Sequence, residues 1–254
     1  MIKYFKIFKV YFVLYIKYIL IIFQKKKWII SRTACLGNDS IRLIHPKLNV
    51  INFQKDRIDN FVYKFENDKQ NRLHFTMLPY IYRSDILELI FYQFITIKSL
   101  FNFSAPSALI LDSYSELTDQ KFISLNSKKN YFFINYNDTN KKILEKYNCE
   151  GLIEIENILP LYKNFFESFR SKFTSAPIIF IHFPKKLELR QKFIIRHDII
   201  KNSINAISNQ IQNLYIIDIP ESIILENKQD PFPYHYNDEV YKYVSNKIKE
   251  ILDV

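Results

Sequence analysis

Glycine is almost missing from this chain: only Gly37 and Gly151 occur in 254 residues. A Gly-rich dinucleotide turn and a phosphate-cradling P-loop each need several glycines in one short turn, so neither signature can be written here. Nucleotide binding as such is not excluded. Cysteine is equally sparse. Cys35 and Cys149 are too few for a disulfide framework and lack metal-ligand spacing, which favours reduced thiols on a cytoplasmic face and gives no reason to expect a metal or other cofactor. Acidic residues are absent from positions 1–27, where seven lysines lie. They carry most of the +10 net charge, and the rest of the chain holds only +3. The basicity is therefore local. Lysines interleaved with Ile, Phe and Tyr suit an anionic membrane surface, and no nucleic-acid motif argues for the other partner.

Apolar residues are plentiful, at 48% with 17% aromatic, enough for a full core in one domain over residues 28–254. Ahead of it, residues 4–23 are apolar and aromatic apart from Lys6, Lys9 and Lys17. On a helix, Lys3, Lys6, Lys9 and Lys17 share a sector of about 120°, which makes a cationic stripe beside a broad apolar face. The segment 1–27 is expected to lie in a membrane interface. A spanning anchor is the runner-up, since Lys17 interrupts the roughly 20 apolar residues a clean span needs. A cleaved signal is disfavoured because Gln24-Lys25-Lys26-Lys27 follows and no small-residue cleavage site does. A buried element of the domain is the remaining alternative.

Along the rest of the chain, apolar runs alternate with helical spacings. Strands are expected at 28–30, 48–53, 108–111, 131–134, 152–155, 177–183 and 213–219. A hairpin is expected from 61–65 with 72–78, placing His74 in a structural role. Helices are expected from a Ser84-Asp85 cap to residue 101, on the spacing of Leu161, Phe165, Phe169 and Phe173, over about 188–211, and on Val240, Val244, Ile248 and Leu252. This order argues for βαβ units and a mainly parallel sheet flanked by helices.

Ligands collect beyond the carboxyl ends of parallel strands, so polar residues there are site candidates. After the first strand come Ser31, a candidate nucleophile, Arg32, a candidate for an anionic substrate group, and Asn38-Asp39-Ser40. The last three equally make a turn and cap a helix over 41–44. After the strand at 108–111 come Asp112 and Ser113, which either act in the site or cap a helix. His182 at the end of 177–183 is read as a core or edge residue.

The most informative stretch is Asp230-Pro231-Phe232-Pro233-Tyr234-His235-Tyr236-Asn237-Asp238. Two prolines hold the approach extended, Asn237 or Asp238 caps the next helix, and His235 is thereby fixed at a helix mouth, a suitable place for a general base. Asp230 or Asp218 is the candidate acid that selects its tautomer. The run Pro233 to Tyr241 resembles the C-terminal histidine block of SGNH/GDSL-type hydrolases and acyltransferases, in particular divergent bacterial members of capsule and surface-polysaccharide loci. That resemblance implies a three-layer, flavodoxin-like α/β fold with His235 as base, a serine nucleophile after the first strand, and ester hydrolysis or acyl transfer. Two departures stand out: position 232 is Phe where the family carries its acid, and Gly37-Asn38-Asp39-Ser40 is a Gly-Asp-Ser block with one residue inserted.

The expected function is thus acyl transfer or ester hydrolysis on a surface polysaccharide or its lipid-linked precursor at the cytoplasmic face of the inner membrane. Ser31 or Ser113, His235 and Asp230 are the catalytic candidates, and Arg32, Asn38, Asp112 and Tyr236 the substrate-binding ones. Asn38 and backbone amides are candidate oxyanion donors. A small glycosyltransferase of the same pathway is the alternative, metal-independent because no Asp-x-Asp triplet occurs. A non-catalytic protein of the same fold is another. If residues 1–27 belong to the core, the protein is cytoplasmic.

Overall fold

Unbroken aliphatic runs make the central strands, because a sheet covered on both faces buries every residue of a strand. β1 (Trp28–Arg32), β3 (Ala108–Asp112) and β7 (Ile178–Ile181) are buried along their whole length. β2 (Asn49–Asn52) and β8 (Leu214–Ile217) complete a five-stranded sheet in the order β2-β1-β3-β7-β8, with every pairing parallel. The computed structural model describes residues 27–44, 49–67, 75–83, 86–95, 97–227 and 234–253, and single positions between 9 and 19.

Helices cover the two faces. α1 (Cys35–Ile44) packs on α8 (Asp238–Leu252), while α6 (Ile155–Lys172) packs on α2 (Ile58–Glu66) and α7 (Gln191–Ser208). Right-handed crossovers put these two groups on opposite faces, since β1 to β2 runs one way along the sheet and β3 to β7 to β8 the other. The chain is therefore α/β with a mainly parallel sheet flanked by helices. Val240, Val244 and Ile248 of α8 are fully buried, as their four-residue spacing requires. On the other face Phe65 meets Phe101 and Phe165 edge to face at 5.1 and 5.3 Å.

Four expectations are corrected. Residues 61–65 form no hairpin strand; Ile58, Phe61, Val62 and Phe65 fall on one buried face of α2, whose first amide, Ile58 N, donates to Glu116 Oε1 at 2.8 Å. Phe75–Tyr80 is a 3-10 turn, and His74 lies outside the described residues. The helix expected to reach residue 101 is broken into α3 (Leu87–Phe91), a 3-10 turn Tyr92–Phe94, and α4 (Lys98–Phe103), its Ser84-Asp85 cap again lying outside the described residues. At the break the Gln93 side chain pairs with the backbone of β5, donating to Phe133 O at 2.7 Å and accepting from Phe133 N at 2.8 Å, and Ile95 is extended.

The last two corrections concern residues 120–155. After the short helix α5 (Tyr114–Thr118), strands β4 (Gln120–Ser124), β5 (Ser127–Ile134) and β6 (Tyr147–Gly151) form a separate antiparallel sheet, so Tyr131 to Ile134 is not part of the parallel one. The strand expected at 152–155 ends instead at Gly151, whose φ of 82° turns the chain out of the ladder.

The segment 1–27 lies largely outside the described residues. At its described positions, Lys9 Nζ stands 3.6 Å from Glu88 Oε1 of α3. Among the described residues no helix is long and apolar enough to cross a membrane.

Candidate active site

In the order β2-β1-β3-β7-β8 the chain leaves β1 in one direction and β3 in the other, so the loops beyond these two strands part and leave a crevice. A cleft of about 600 Å³ lies there. Its lining draws on the segment after every strand but β8 in the parallel sheet: Ala34 and Cys35 after β1, Gln54 and Lys55 after β2, Tyr114 after β3, Phe183 and Leu187 to Arg190 after β7. Tyr234 and His235 enter from the loop before α8, and Asn135, Asn137 and Asp138 from beyond β5.

Beneath the cleft lining, Asp112 fixes the two strand ends. Its buried carboxylate accepts from Ala34 N at 2.6 Å and from Tyr114 N at 3.0 Å, tying the ends of β1 and β3 together. Burial pushes its pKa up to about 7, against the pull of Arg32 and of these two amides. Beside it Asn52 orders the turn after β1, accepting from Thr33 N at 3.0 Å and donating to Thr33 O and to Asn38 Oδ1, both at 3.1 Å. Gly37 is required at this turn: a Cβ there would stand 2.6 Å from Thr33 Cβ.

His235 is held from both sides. The Tyr234 hydroxyl donates to Glu188 Oε2 at 2.6 Å and also meets Arg190, while Arg190 grips Glu188 with two bonds of 2.8 Å. Burial alone would raise the Glu188 carboxyl, but the bonds from Arg190 and Tyr234 outweigh it and hold its pKa down to about 2. On the other side the Tyr236 hydroxyl donates to Pro184 O at 3.2 Å, and Tyr236 pairs with Glu226 across an isolated bridge. His235 between them is half-buried and is one of the residues lining the cleft.

The expected site residues separate into three groups. His235 and Asn38 line the cleft. Asp112, Arg32, Tyr236, Ser31 and Ser113 are all buried and do not line it. Arg32 is spent on the fold: it makes bonds of 2.8 and 3.1 Å to the Glu116 carboxylate, reaches Asp56 O and Asp112 O, and contacts the Tyr162 hydroxyl. Ser31 Oγ is buried without a hydrogen-bond partner, in a strand paired on both sides. Ser40 sits within α1 and donates to Leu36 O at 2.7 Å, so the helix begins at Cys35, ahead of the expected Asn38 to Ser40 cap. Asp230 lies outside the described residues.

The residue not singled out from the sequence is Cys35. It opens α1 directly after the β1 turn and lines the cleft together with His235. Burial raises its thiol pKa and Asp39 adds to this, against Gln54, which donates to Sγ at 3.4 Å, and Lys55. The resting group is therefore a protonated thiol that needs a base. The signal in the sequence was position, since Cys35 is the first nucleophilic side chain beyond the strand that reaches a helix start. Among the described residues no three His, Cys, Asp or Glu side chains are grouped to hold a metal ion. Compared with known proteins, the chain matches no protein-family model and no curated protein.

Proposed function

We propose that this cleft catalyses acyl transfer or ester hydrolysis on a surface polysaccharide or its lipid-linked precursor, with Cys35 as nucleophile and His235 as general base. The observation that carries the reading is that Cys35, at the start of α1, and His235, at the mouth of α8, line one cleft, whereas Ser31 and Ser113 are buried outside it. The likeness of residues 233–241 to the SGNH/GDSL histidine block supplies the reaction class and the glycan.

In the first half-reaction His235 takes the Cys35 proton, Sγ attacks the acyl carbonyl, and the leaving oxygen departs with that proton, leaving a thioester. In the second, a sugar hydroxyl or water gives its proton to His235 and attacks the thioester, and Sγ recovers a proton from the imidazolium. Asn38 Nδ2 spends one hydrogen on Asp39 Oδ1 at 3.0 Å, and its second serves the oxyanion.

The test is hydrolysis of p-nitrophenyl acetate with intact-mass detection of an acetyl group on Cys35. His235→Ala is expected to slow turnover by about 10² to 10⁴, and Cys35→Ala to remove the acyl adduct. An adduct on a serine, or full turnover by Cys35→Ala, defeats the thiol assignment; turnover unchanged in His235→Ala defeats the reading as a whole.

A further inference from the structure

Four cationic side chains line the cleft, Arg42, Lys55, Arg83 and Arg190, and two carboxylates, Asp138 and Glu188. Three of the cations are already engaged. Arg190 grips Glu188, Lys55 stands 3.2 Å from Asp119 and 3.8 Å from Asp138, and Arg83 stands 3.7 Å from Asp138. Arg42 differs: its ion pair, with Asp39, is at 4.0 Å, the limit of such a contact, and its side chain is 76% exposed.

Arg42 also has a fixed relation to the proposed nucleophile. Cys35, Asn38 and Arg42 are three and seven positions apart on α1, so they form one stripe along the cleft, with Arg42 about 10 Å beyond Cys35 at 1.5 Å per residue. Leucine and isoleucine make up another part of the lining: Ile86 and Leu89 from α3 and the residue before it, Leu187 and Leu189 from the loop after β7. Leu189 is 93% exposed, an apolar side chain left in water beside the cleft. Lys9 stands 3.6 Å from Glu88, the neighbour of Leu89 on α3.

We infer that the cleft binds an amphiphile, an apolar chain lying against Ile86, Leu89, Leu187 and Leu189 with a phosphate group held by Arg42. A guanidinium with spare donors recognises phosphate by paired hydrogen bonds. This inference rests on the proposed reading only for the identity of the reacting end; the subsite itself stands on the lining residues.

Decyl phosphate, decanol and inorganic phosphate serve as probes, with binding followed by calorimetry and by protection of Cys35 from iodoacetamide. Decyl phosphate is expected to bind tightest and to slow alkylation. Arg42→Gln, an exposed substitution, is expected to weaken decyl phosphate at least about tenfold while leaving decanol unchanged, and Leu89→Ser to weaken decyl phosphate and decanol alike. Hexadecyl phosphate in phosphatidylcholine vesicles gives the second source: protection from vesicles assigns a bilayer-borne substrate, and protection by the free probe alone assigns a soluble one. Decanol binding as tightly as decyl phosphate, or decyl phosphate indifferent to Arg42→Gln, overturns the subsite. Binding is read by heat and needs no turnover, so failure of the subsite is distinguishable from failure of the acyl chemistry, which falls on the turnover of His235→Ala.

Discussion

Asp112 Oδ2 accepts the Ala34 amide at 2.6 Å while its Oδ1 accepts the Tyr114 amide at 3.0 Å, so one carboxylate joins the two strand ends between which the cleft opens. Asp112→Asn replaces one of these acceptors with an NH₂ that faces an N–H donor, leaving a buried amide unpaired. The expected cost is about 1–3 kcal/mol, read from the urea midpoint. Because Ala34 precedes Cys35, the same substitution should also change the rate of Cys35 alkylation. A variant with wild-type stability and wild-type alkylation would show that the carboxylate does not hold this crevice.

Arg32 carries the next prediction, because its guanidinium is buried against Glu116 and does not line the cleft. It is 1% exposed, its partner Glu116 is fully buried, and Glu116 Oε2 also accepts from Tyr162 at 2.7 Å. Removing one member leaves the other charge buried and unpaired, so Glu116→Gln and Arg32→Ala should each lose about 3–5 kcal/mol. Denaturant unfolding measures this. A substrate-binding arginine would instead leave stability untouched and raise KM for an anionic substrate, which is the result that would restore the original expectation.

Much of this fold was legible because some side chains permit only one environment. The short aliphatic run Ala108 to Leu111 suits a strand covered on both faces, and Val240, Val244 and Ile248, separated by mostly polar residues over a stretch longer than an ordinary strand, suit one buried face of a helix. The misread regions are those where a distant partner decides. Where the expected helix breaks, Gln93 bonds Phe133, forty positions away in the chain, and Ile58 starts a helix on a carboxylate from α5. The site was half legible for a related reason. His235 announced itself through its prolines, but β1 runs through Arg32, so Ser31 falls inside the ladder and the first side chain to reach the cleft comes later. A shift of two residues in a strand end exchanges a buried hydroxyl for an accessible thiol.

Gly37 offers a steric test of that turn. In Gly37→Ala the new methyl would meet Thr33 Cβ at 2.6 Å and Cγ2 at 2.7 Å. Thr33 Cβ is fixed to the backbone and cannot swing aside, so α1 must move off the end of β1. Alanine's better helix propensity, about 1 kcal/mol, opposes this but does not cancel overpacking of about 1–3 kcal/mol. Net destabilisation is expected, with recovery in the Thr33→Gly, Gly37→Ala double variant, which removes the clashing carbon. Thermal melting of the two single variants and the pair decides it; no recovery in the pair would mean the clash is not the cause.

Acid stability should report on the wall that holds His235. Glu188 has its pKa held at about 2 against an ordinary 4.5, so the native state binds fewer protons than the unfolded chain between those values. Stability from this group is therefore present in full above about pH 4.5 and is lost as the pH falls through about 2. Glu188→Gln removes the charge gripped by Arg190 and the strongest acceptor for the Tyr234 hydroxyl. Wild type should exceed the variant in urea midpoint at pH 6, and the gap should close on acidification toward pH 2. Tyr234→Phe should keep most of that pH dependence, since Arg190 still holds the carboxylate, yet it frees the residue next to His235. If the imidazole depends on this clamp, Tyr234→Phe lowers kcat for p-nitrophenyl acetate with little change in KM, and Glu188→Asp, one methylene shorter, lowers it as well. Equal midpoints for wild type and Glu188→Gln at pH 6 would remove the clamp from the account of how His235 is held.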